Sequence, residues 1–163
     1  MTELAGLLPT AARIVRLCGE RRLRVATAES CTGGFVAAAI TEIAGASAVF
    51  DRGFVTYSDL AKAQMLGVDA GLIHRLGAVS PEVAAAMAAG ALAHSAADIV
   101  VAVTGIAGPG GGSAEKPVGL VHFAARRRVG AGLSRTEVFA DSGRSGVRLA
   151  AAAVALELIE ELI

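Results

Sequence analysis

The spacing of apolar residues changes several times between a helical and a strand period along the chain. The first apolar positions recur at helical spacing, which predicts an amphipathic helix that ends near residues 19–22. The apolar run 23–29 predicts a short strand, and a second one-sided helix follows it until Gly45. Segment 48–57 is rich in β-branched and aromatic residues and predicts another strand, in which Gly53 indicates a bulge or close packing.

Helix-start signals continue this alternation through the middle of the chain. Ser58 begins a predicted helix that Gly67 ends, and a further short helix is predicted at 69–76. Ser80, with Pro81 in the first helical position, gives the strongest helix start of the chain. Three helices are therefore expected before the next apolar run, and the last of them is rich in alanine.

The last third of the chain combines a buried strand, a hairpin and a helix. Residues 98–105 form a near-continuous apolar run, which is typical of a strand buried on both faces. A glycine-rich loop (residues 105–117, GIAGPGGGSAEKP) follows, then two strands joined by a turn around 130–132, and then a helix at 146–163. This order predicts a three-layer α/β/α sandwich with a mixed sheet, in a single domain at 1–163.

Charge and composition exclude several classes of protein. The chain has 15 Lys and Arg against 15 Asp and Glu, and this balance argues against nucleic acid or a membrane surface as partner. Segment 84–97 is mostly alanine with polar residues around it, so a membrane span is not predicted. Glu3 and the lack of a basic region near it argue against a signal peptide, and a cytoplasmic location is expected. Cys18 and Cys31 have no CxxC or histidine partners, so no metal site is predicted.

Three polar segments follow predicted strand ends. The first is 29–34 (ESCTGG), the second contains Tyr57, Ser58 and Lys62, and the third is Thr104 with the glycine-rich loop. Ligands in open α/β sheets bind beyond the carboxyl ends of the strands. If the strands are parallel, these segments converge on one edge of the sheet and form a site there.

Ser30 permits two interpretations. It lies on a turn from strand to helix, where Gly33 and Gly34 remove bulk and N–H groups are open to an anion. A nucleophilic serine needs a base, however, and Ser30 or Thr32 could equally be the N-cap of the helix. Lys62 favours the first interpretation, because a lysine desolvated among alanines can lose its proton near neutral pH; an exposed lysine is the common alternative.

Rival nucleophiles and the glycine-rich loop give weaker signals. Ser58 stands four residues before Lys62, but we interpret it as a helix N-cap. Cys31 has no nearby histidine with which to form a thiolate pair. The chain has only two lysines, Lys62 and Lys116, which suggests that an amine is needed at both positions. The loop could bind phosphate through backbone N–H groups, although it is not a Walker A motif.

Five segments of the chain resemble, in order, the CinA C-terminal domain family. They are TAESCTGG, GFVTYSDLAKAQMLGV, GAVSPEVAAAMA, VTGIAGPGGGSAEKPVG and FADSGRSGVRLAAAAVALELI. The members of this family include nicotinamide-mononucleotide amidohydrolases. The resemblance covers almost the whole chain and implies a mixed, mostly parallel five-stranded sheet, in the form that stands without the molybdopterin-binding-like domain of longer members.

The resemblance implies a serine–lysine amidase without a cofactor. Ser30 is the implied nucleophile and Lys62 its base, while Tyr57 and Thr104 line the same site. The substrate-binding residues that we predict are Glu29, Cys31, Thr32, Gly33, Gly34, Gly105, Gly108, Gly111, Gly112 and Arg144.

The implied substrate is nicotinamide mononucleotide, which would be converted to nicotinic acid mononucleotide and ammonia. Backbone N–H groups near residues 31–33 would hold the tetrahedral oxyanion. The phosphate would meet a helix start, the glycine-rich loop or an arginine, for which Arg144 is the candidate.

Two other functions stay open on the sequence alone. A non-catalytic nucleotide-binding module would use the glycine-rich loop and Arg144 equally well, and an amidase could act on a different small amide. A small molecule is the only partner that the resemblance implies. A homo-oligomer is neither required nor excluded, because buried packing explains the alanine-rich helices as well as an interface does.

Overall fold

Helices and strands alternate along the chain in a computed structural model, which describes residues 3–139 and 142–163. The family-like segment FADSGRSGVRLAAAAVALELI includes residues 140 and 141, which lie outside the described residues. The elements are α1 (Leu8–Arg21), β1 (Val25–Glu29), α2 (Phe35–Thr41), β2 (Phe50–Val55), α3 (Asp59–Leu66), α4 (Ala70–Leu76), α5 (Pro81–Ala93), β3 (Ile99–Gly105), β4 (Leu120–Arg127), β5 (Gly132–Val138) and α6 (Gly143–Glu161).

The sheet has five strands within these described ranges, in the order β2-β1-β3-β4-β5. Strand β1 pairs in parallel with both β2 and β3, whereas β4 is antiparallel to both β3 and β5. Four strands therefore point in one direction and only β4 is reversed, which confirms the mixed, mostly parallel sheet. The carboxyl ends of β1, β2 and β3 meet at one edge, as the site prediction requires.

Helices cover both faces of the sheet and form two hydrophobic clusters. Buried residues of α1, α2 and α6 pack on one face, and buried residues of α3, α4 and α5 pack on the other. In the alanine-rich α5, Ala84, Ala88 and Ala91 are fully buried against the sheet side of the second cluster. Packing within the chain thus accounts for these three alanines, whereas Ala85 and Ala93 of the same helix are exposed. No helix in the described part of the chain combines the length and the apolar character that crossing a bilayer requires.

The helix starts predicted at Ser58 and Ser80 and the irregularity predicted in β2 are confirmed. Ser58 Oγ accepts the N–H of Ala61 at the start of α3, and Ser80 Oγ accepts the N–H of Val83 at the start of α5. The register of β2 against β1 shifts by one residue, and a Cβ on Gly53 would lie 3.0 Å from Thr27 Oγ1. Gly53 is therefore a position of close packing, whereas the bulge lies two residues earlier, at Asp51.

Several boundaries differ from the prediction. Helix α2 ends at Thr41, four residues before Gly45, and strand β1 begins at Val25 instead of residue 23. Strand β2 is shorter than segment 48–57, because 46–48 form a 3₁₀ turn and the chain leaves the sheet after Val55 to reach the α3 cap. Helix α6 begins at Gly143, three residues before the predicted start, because its apolar period begins only at Val147.

Candidate active site

Backbone hydrogen bonds extend beyond the paired part of β1 and place Ser30 between its two neighbouring strands. The N–H of Ser30 donates to Val103 O at 2.9 Å, and the N–H of Thr56 donates to Glu29 O at 2.9 Å. Ser30 is therefore held at the centre of the edge where β1, β2 and β3 end. The predicted convergence of the polar segments on this edge is confirmed.

Ser30 and Lys62 are in direct contact although thirty-two positions separate them. Lys62 Nζ lies 3.0 Å from Ser30 Oγ and donates to Thr56 O at 2.8 Å. Lys62 is 1% exposed, so the alternative of an exposed lysine is wrong. Burial lowers the pKa of the Lys62 amine, opposed by the charge of Asp59, and so shifts its equilibrium toward the neutral form that a general base requires.

Glu29 supplies the cap that Ser30 or Thr32 had been a candidate to provide. Its buried carboxylate accepts the N–H groups of Gly34, Val36 and Ala37 at 3.0, 3.1 and 2.9 Å. No other side chain in the described part of the chain caps α2, so the cap alternative for Ser30 is wrong. The geometry favours a structural role for Glu29 over the predicted contact with substrate, because both carboxylate oxygens already bind the start of α2.

The serine loop (residues 30–34) leaves two N–H groups without an oxygen acceptor. The N–H of Gly33 donates to Ser30 O at 3.1 Å and that of Gly34 to Glu29, so neither is open to a substrate. Within residues 3–139 and 142–163, no oxygen accepts the N–H of Cys31 or Thr32. The predicted set of oxyanion donors is thereby reduced from three residues to these two.

The Cys31 thiol is a poor rival to Ser30 as nucleophile. Burial raises its pKa to about 11, although the N–H groups of Cys31 and Thr32 act in the opposite direction. The neutral thiol therefore dominates near neutral pH, and it is the thiolate that would attack. Ser58 is no rival either, because its oxygen faces the N–H of Ala61 as an N-cap.

Thr104 lies beside Ser30, but its hydroxyl has another partner. Val103 pairs with Glu29, so the next residues, Thr104 and Ser30, are neighbours across the two strands. Thr104 is buried and its Oγ1 donates to Ala78 O at 2.9 Å. The structure thus brings Thr104 to the site, but its hydroxyl donates to the segment between α4 and α5 and not to Ser30.

Arg144 connects three parts of the site. Its Nη1 donates to Gly108 O at 2.7 Å and its Nη2 to Tyr57 Oη at 2.8 Å. Tyr57 is 60% exposed, so this pair lies at the rim of the site rather than next to the Lys62 amine. The start of α6, the segment after β2 and the glycine-rich loop therefore meet here. The site-lining role of Tyr57 and the substrate contacts of Gly108 and Arg144 stay predictions.

Local packing explains most of the glycines in the glycine-rich loop. A Cβ would lie 2.8 Å from Leu120 O at Gly105 and 2.7 Å from Val118 N at Gly112. Gly108 and Gly111 have φ values of 80° and 86°, which L side chains rarely adopt. These residues are needed for the shape of the loop itself. Their predicted contact with substrate stays a prediction.

Arg148 is a residue of the site that sequence reasoning missed. It is half-buried, its Nε donates to Cys31 O at 3.1 Å, and its Nη2 donates to Thr32 O at 3.1 Å. The guanidinium also lies 4.0 Å from the centre of the Phe35 ring. A signal was present, because Arg148 follows Arg144 by four residues and thus lies on the same face of α6.

The remaining titratable residues form no metal centre among the residues that the structure describes. No group of three His, Cys, Asp or Glu side chains in that part of the chain could hold an ion. Of the histidines, His122 is buried and its Nδ1 lies 2.8 Å from Thr136 Oγ1. Burial lowers the pKa of His122, and the charge of Lys116 adds to that effect.

The fold and the site define a three-layer α/β/α protein with a buried serine–lysine pair at the carboxyl edge of its sheet. The chain belongs to the family whose model is described as the CinA C-terminal domain, and this model matches residues 8–163.

Relatives and solved structures agree with this assignment. The chain is 54% identical over 139 residues to "Nicotinamide-nucleotide amidohydrolase PncC" of Escherichia coli K12, with 85% of this chain and 84% of that protein covered. The crystal structure of the competence/damage inducible protein CihA from Agrobacterium tumefaciens superposes with a TM-score of 0.94 at 52% identity, covering 99% of this chain and 96% of that one. A CinA superfamily protein from Escherichia coli superposes with a TM-score of 0.90 at 34% identity, covering 96% and 90%.

Proposed function

We propose that this protein hydrolyses the carboxamide of nicotinamide mononucleotide, giving nicotinic acid mononucleotide and ammonia, with Ser30 as nucleophile and Lys62 as its base. The observation that carries the mechanism is the buried contact of 3.0 Å between Lys62 Nζ and Ser30 Oγ. The name of the Escherichia coli relative, a nicotinamide-nucleotide amidohydrolase, supports the choice of substrate. We further propose that the chain acts as one domain, because both hydrophobic clusters pack on the same sheet.

The first half of the proposed reaction forms an acyl-enzyme. Neutral Lys62 takes the proton of Ser30 Oγ, and the oxygen attacks the carboxamide carbon of the substrate. The carbonyl oxygen becomes an oxyanion, which the N–H groups of Cys31 and Thr32 stabilise. The tetrahedral intermediate then collapses: its C–N bond breaks, the nitrogen receives the proton that Lys62 holds, and ammonia leaves.

The second half returns the enzyme to its starting state. The amine of Lys62, neutral again, takes a proton from a water molecule, and the water oxygen attacks the ester carbon. The C–O bond to Ser30 breaks, and the proton passes from Lys62 to the Ser30 oxygen. This sequence needs no metal, because the lysine supplies the base and the two amides stabilise the oxyanion.

Substrate binding is proposed to use the rim of the site. Arg144 would exchange its contact with Tyr57 for one with the substrate phosphate, since a guanidinium binds phosphate more strongly than it binds a neutral hydroxyl. Gly108 and the exposed tip of the glycine-rich loop lie on the same side and would cover the nucleotide.

The test is release of ammonia from nicotinamide mononucleotide by the wild type and by Ser30→Ala. The wild type is expected to release ammonia and Ser30→Ala to lose at least about 10³-fold in kcat, as serine hydrolases do when the nucleophile is removed. Ser58→Ala is the matched control, because it removes a serine hydroxyl after the neighbouring strand β2, where it caps α3. It should retain activity and lose about 1 kcal/mol of stability.

Three results would contradict the proposal. Ammonia release by Ser30→Ala at near wild-type rate, with loss in Ser58→Ala or Cys31→Ala, would show that the nucleophile is wrong. Release from free nicotinamide or another small amide, but not from the mononucleotide, would show that the substrate is wrong. Binding of the mononucleotide without any ammonia release would favour the non-catalytic binding module.

A further inference from the structure

The guanidinium of Arg148 binds the serine loop from the side of α6 through two consecutive carbonyl groups. These are the carbonyls of Cys31 and Thr32, which follow directly after Ser30. The planar fork of an arginine suits two parallel N–H···O bonds, and the contact with the Phe35 ring fixes the plane of the fork. One side chain therefore binds two neighbouring peptide groups, of which the second also accepts the N–H of Phe35 at 3.3 Å.

The first of these peptide groups determines where the N–H of Thr32 points. The carbonyl of Cys31 and the N–H of Thr32 belong to one planar, trans peptide group, so they point in opposite directions. Arg148 Nε holds the carbonyl at 3.1 Å, and the N–H of Thr32 is thereby directed away from α6. This N–H is one of the two in the serine loop that no oxygen of the described residues accepts.

The second peptide group affects the direction of the N–H of Cys31 through one further hydrogen bond. The carbonyl of Thr32 shares its peptide group with the N–H of Gly33, which donates to Ser30 O at 3.1 Å. The carbonyl of Ser30 in turn shares its peptide group with the N–H of Cys31. Holding the Thr32 carbonyl therefore orients the Gly33 N–H, the Ser30 carbonyl and finally the N–H of Cys31.

We propose that Arg148 is a positioning residue for the amide hydrolysis: it orients and polarises the N–H groups of Cys31 and Thr32 that stabilise the oxyanion, without touching the substrate. This inference rests on the proposed function. A cation bound to the carbonyl of a peptide group increases the partial positive charge on its N–H, because hydrogen bonds in series polarise one another. The effect is felt in the transition state, where the oxyanion develops, and much less in substrate binding.

The experiment measures kcat and KM for ammonia release from nicotinamide mononucleotide by Arg148→Lys and Arg148→Met. Lysine keeps the charge but lacks the fork, and methionine keeps the apolar stem without any donor. We expect kcat to fall about 10-fold to 100-fold in both variants, somewhat less than removal of an oxyanion donor itself, with KM within about twofold. The control Arg135→Lys weakens contacts to Glu157 and Glu161 on the same helix and should leave both constants unchanged.

A second readout separates this inference from the proposed function. The burst of p-nitrophenol from p-nitrophenyl acetate reports acylation of Ser30, which also passes through an oxyanion. If the wild type acylates but releases no ammonia, the proposed substrate is wrong, and the inference is then decided by whether Arg148→Lys slows the burst about 10-fold or more. If the wild type gives neither reaction, both proposals are overturned.

Three further outcomes would overturn the inference while the function stands. One is an unchanged kcat in Arg148→Met. Another is a rise in KM at constant kcat, which would make Arg148 a substrate-binding residue. The last is a loss of activity that follows the folded fraction measured by circular dichroism, since a purely structural role predicts that correlation.

Discussion

The serine loop and the glycine-rich loop both follow parallel strands at the same edge of the sheet, yet they are held in different ways. In the serine loop, Glu29 binds the start of α2 from within and Arg148 binds two carbonyls from outside. In the glycine-rich loop, residues 109–115 are exposed. The loop is held near its two ends: Arg144 donates to Gly108 O, and the loop's own Lys116 donates to Leu76 O.

This difference corresponds to what each loop is proposed to do. A nucleophile and its oxyanion donors must keep their positions to within about half an ångström, which requires several independent contacts. A segment that only covers a nucleotide can be exposed and less constrained, because the bound ligand supplies the remaining contacts. The two lysines show the same contrast: Lys62 is buried against Ser30, while the Lys116 amine donates to Leu76 O at the end of α4.

The largest effect is expected when Lys62 is replaced by methionine, and the same change at Lys116 is the matched control. Lys62→Met removes the base and is expected to lower kcat by about 10²-fold to 10⁴-fold, because the Ser30 proton then has no acceptor of suitable pKa. Lys116→Met should change kcat by less than about threefold. The measurement is ammonia release from nicotinamide mononucleotide by both variants. Equal losses would mean that the two loops contribute alike, which would contradict the comparison.

The pH dependence of kcat/KM and of the free energy of unfolding gives a second test of the role of Lys62. Burial lowers its pKa below the ordinary value of 10.5, so kcat/KM should rise with pH and reach its midpoint below 10.5. Between the lowered pKa and 10.5 the unfolded chain binds more protons than the folded chain, so the free energy of unfolding also rises with pH there. Urea unfolding should show this rise in the wild type, and Lys62→Met should reduce it. An unchanged slope in the variant would mean that Lys62 is not the group that titrates.

A smaller loss is expected when the inner support of the serine loop is weakened. Glu29→Gln keeps the shape but presents an NH₂ group to backbone N–H donors, which leaves at least one of them unpaired in a buried place. The free energy of unfolding should fall by about 1–3 kcal/mol. The matched control is Glu115→Gln at the exposed tip of the other loop, with an expected change within about 0.5 kcal/mol. Equal changes in urea unfolding would contradict the contrast between the loops.

The sequence was sufficient for the fold and for the location of the site, but less so for the serine loop itself. Helix periodicity and helix caps depend on residues that are close in the sequence, so they can be predicted from it. The caps at Ser58 and Ser80 are confirmed. The convergence on Ser30 followed from where parallel strands end. Its contact with Lys62 was suggested by a desolvated amine among alanines and by the family resemblance.

The parts that were missed depend on contacts between distant segments. Arg148 lies 117 positions from Cys31, and no local pattern in α6 shows which carbonyls its guanidinium meets. Glu29 was assigned to substrate because a strand-end carboxylate is equally suited to both roles; only the direction of its side chain distinguishes them. The glycines of the second loop were assigned to substrate for a similar reason, since packing against Val118 is not visible in the sequence.

The smallest expected effect concerns the rim, where the two loops are connected by Arg144. Tyr57→Phe removes the hydroxyl that Arg144 Nη2 reaches at 2.8 Å but keeps the exposed ring. A hydrogen bond of this kind contributes about 0.5–1.5 kcal/mol, and Arg144 is proposed to give it up when the phosphate binds. KM for nicotinamide mononucleotide should therefore fall by about twofold to tenfold, while kcat stays within about twofold. Steady-state kinetics of ammonia release decides the matter. A large fall in kcat at constant KM would place the Tyr57 hydroxyl in the chemical step, and the rim would then share the constraints of the serine loop.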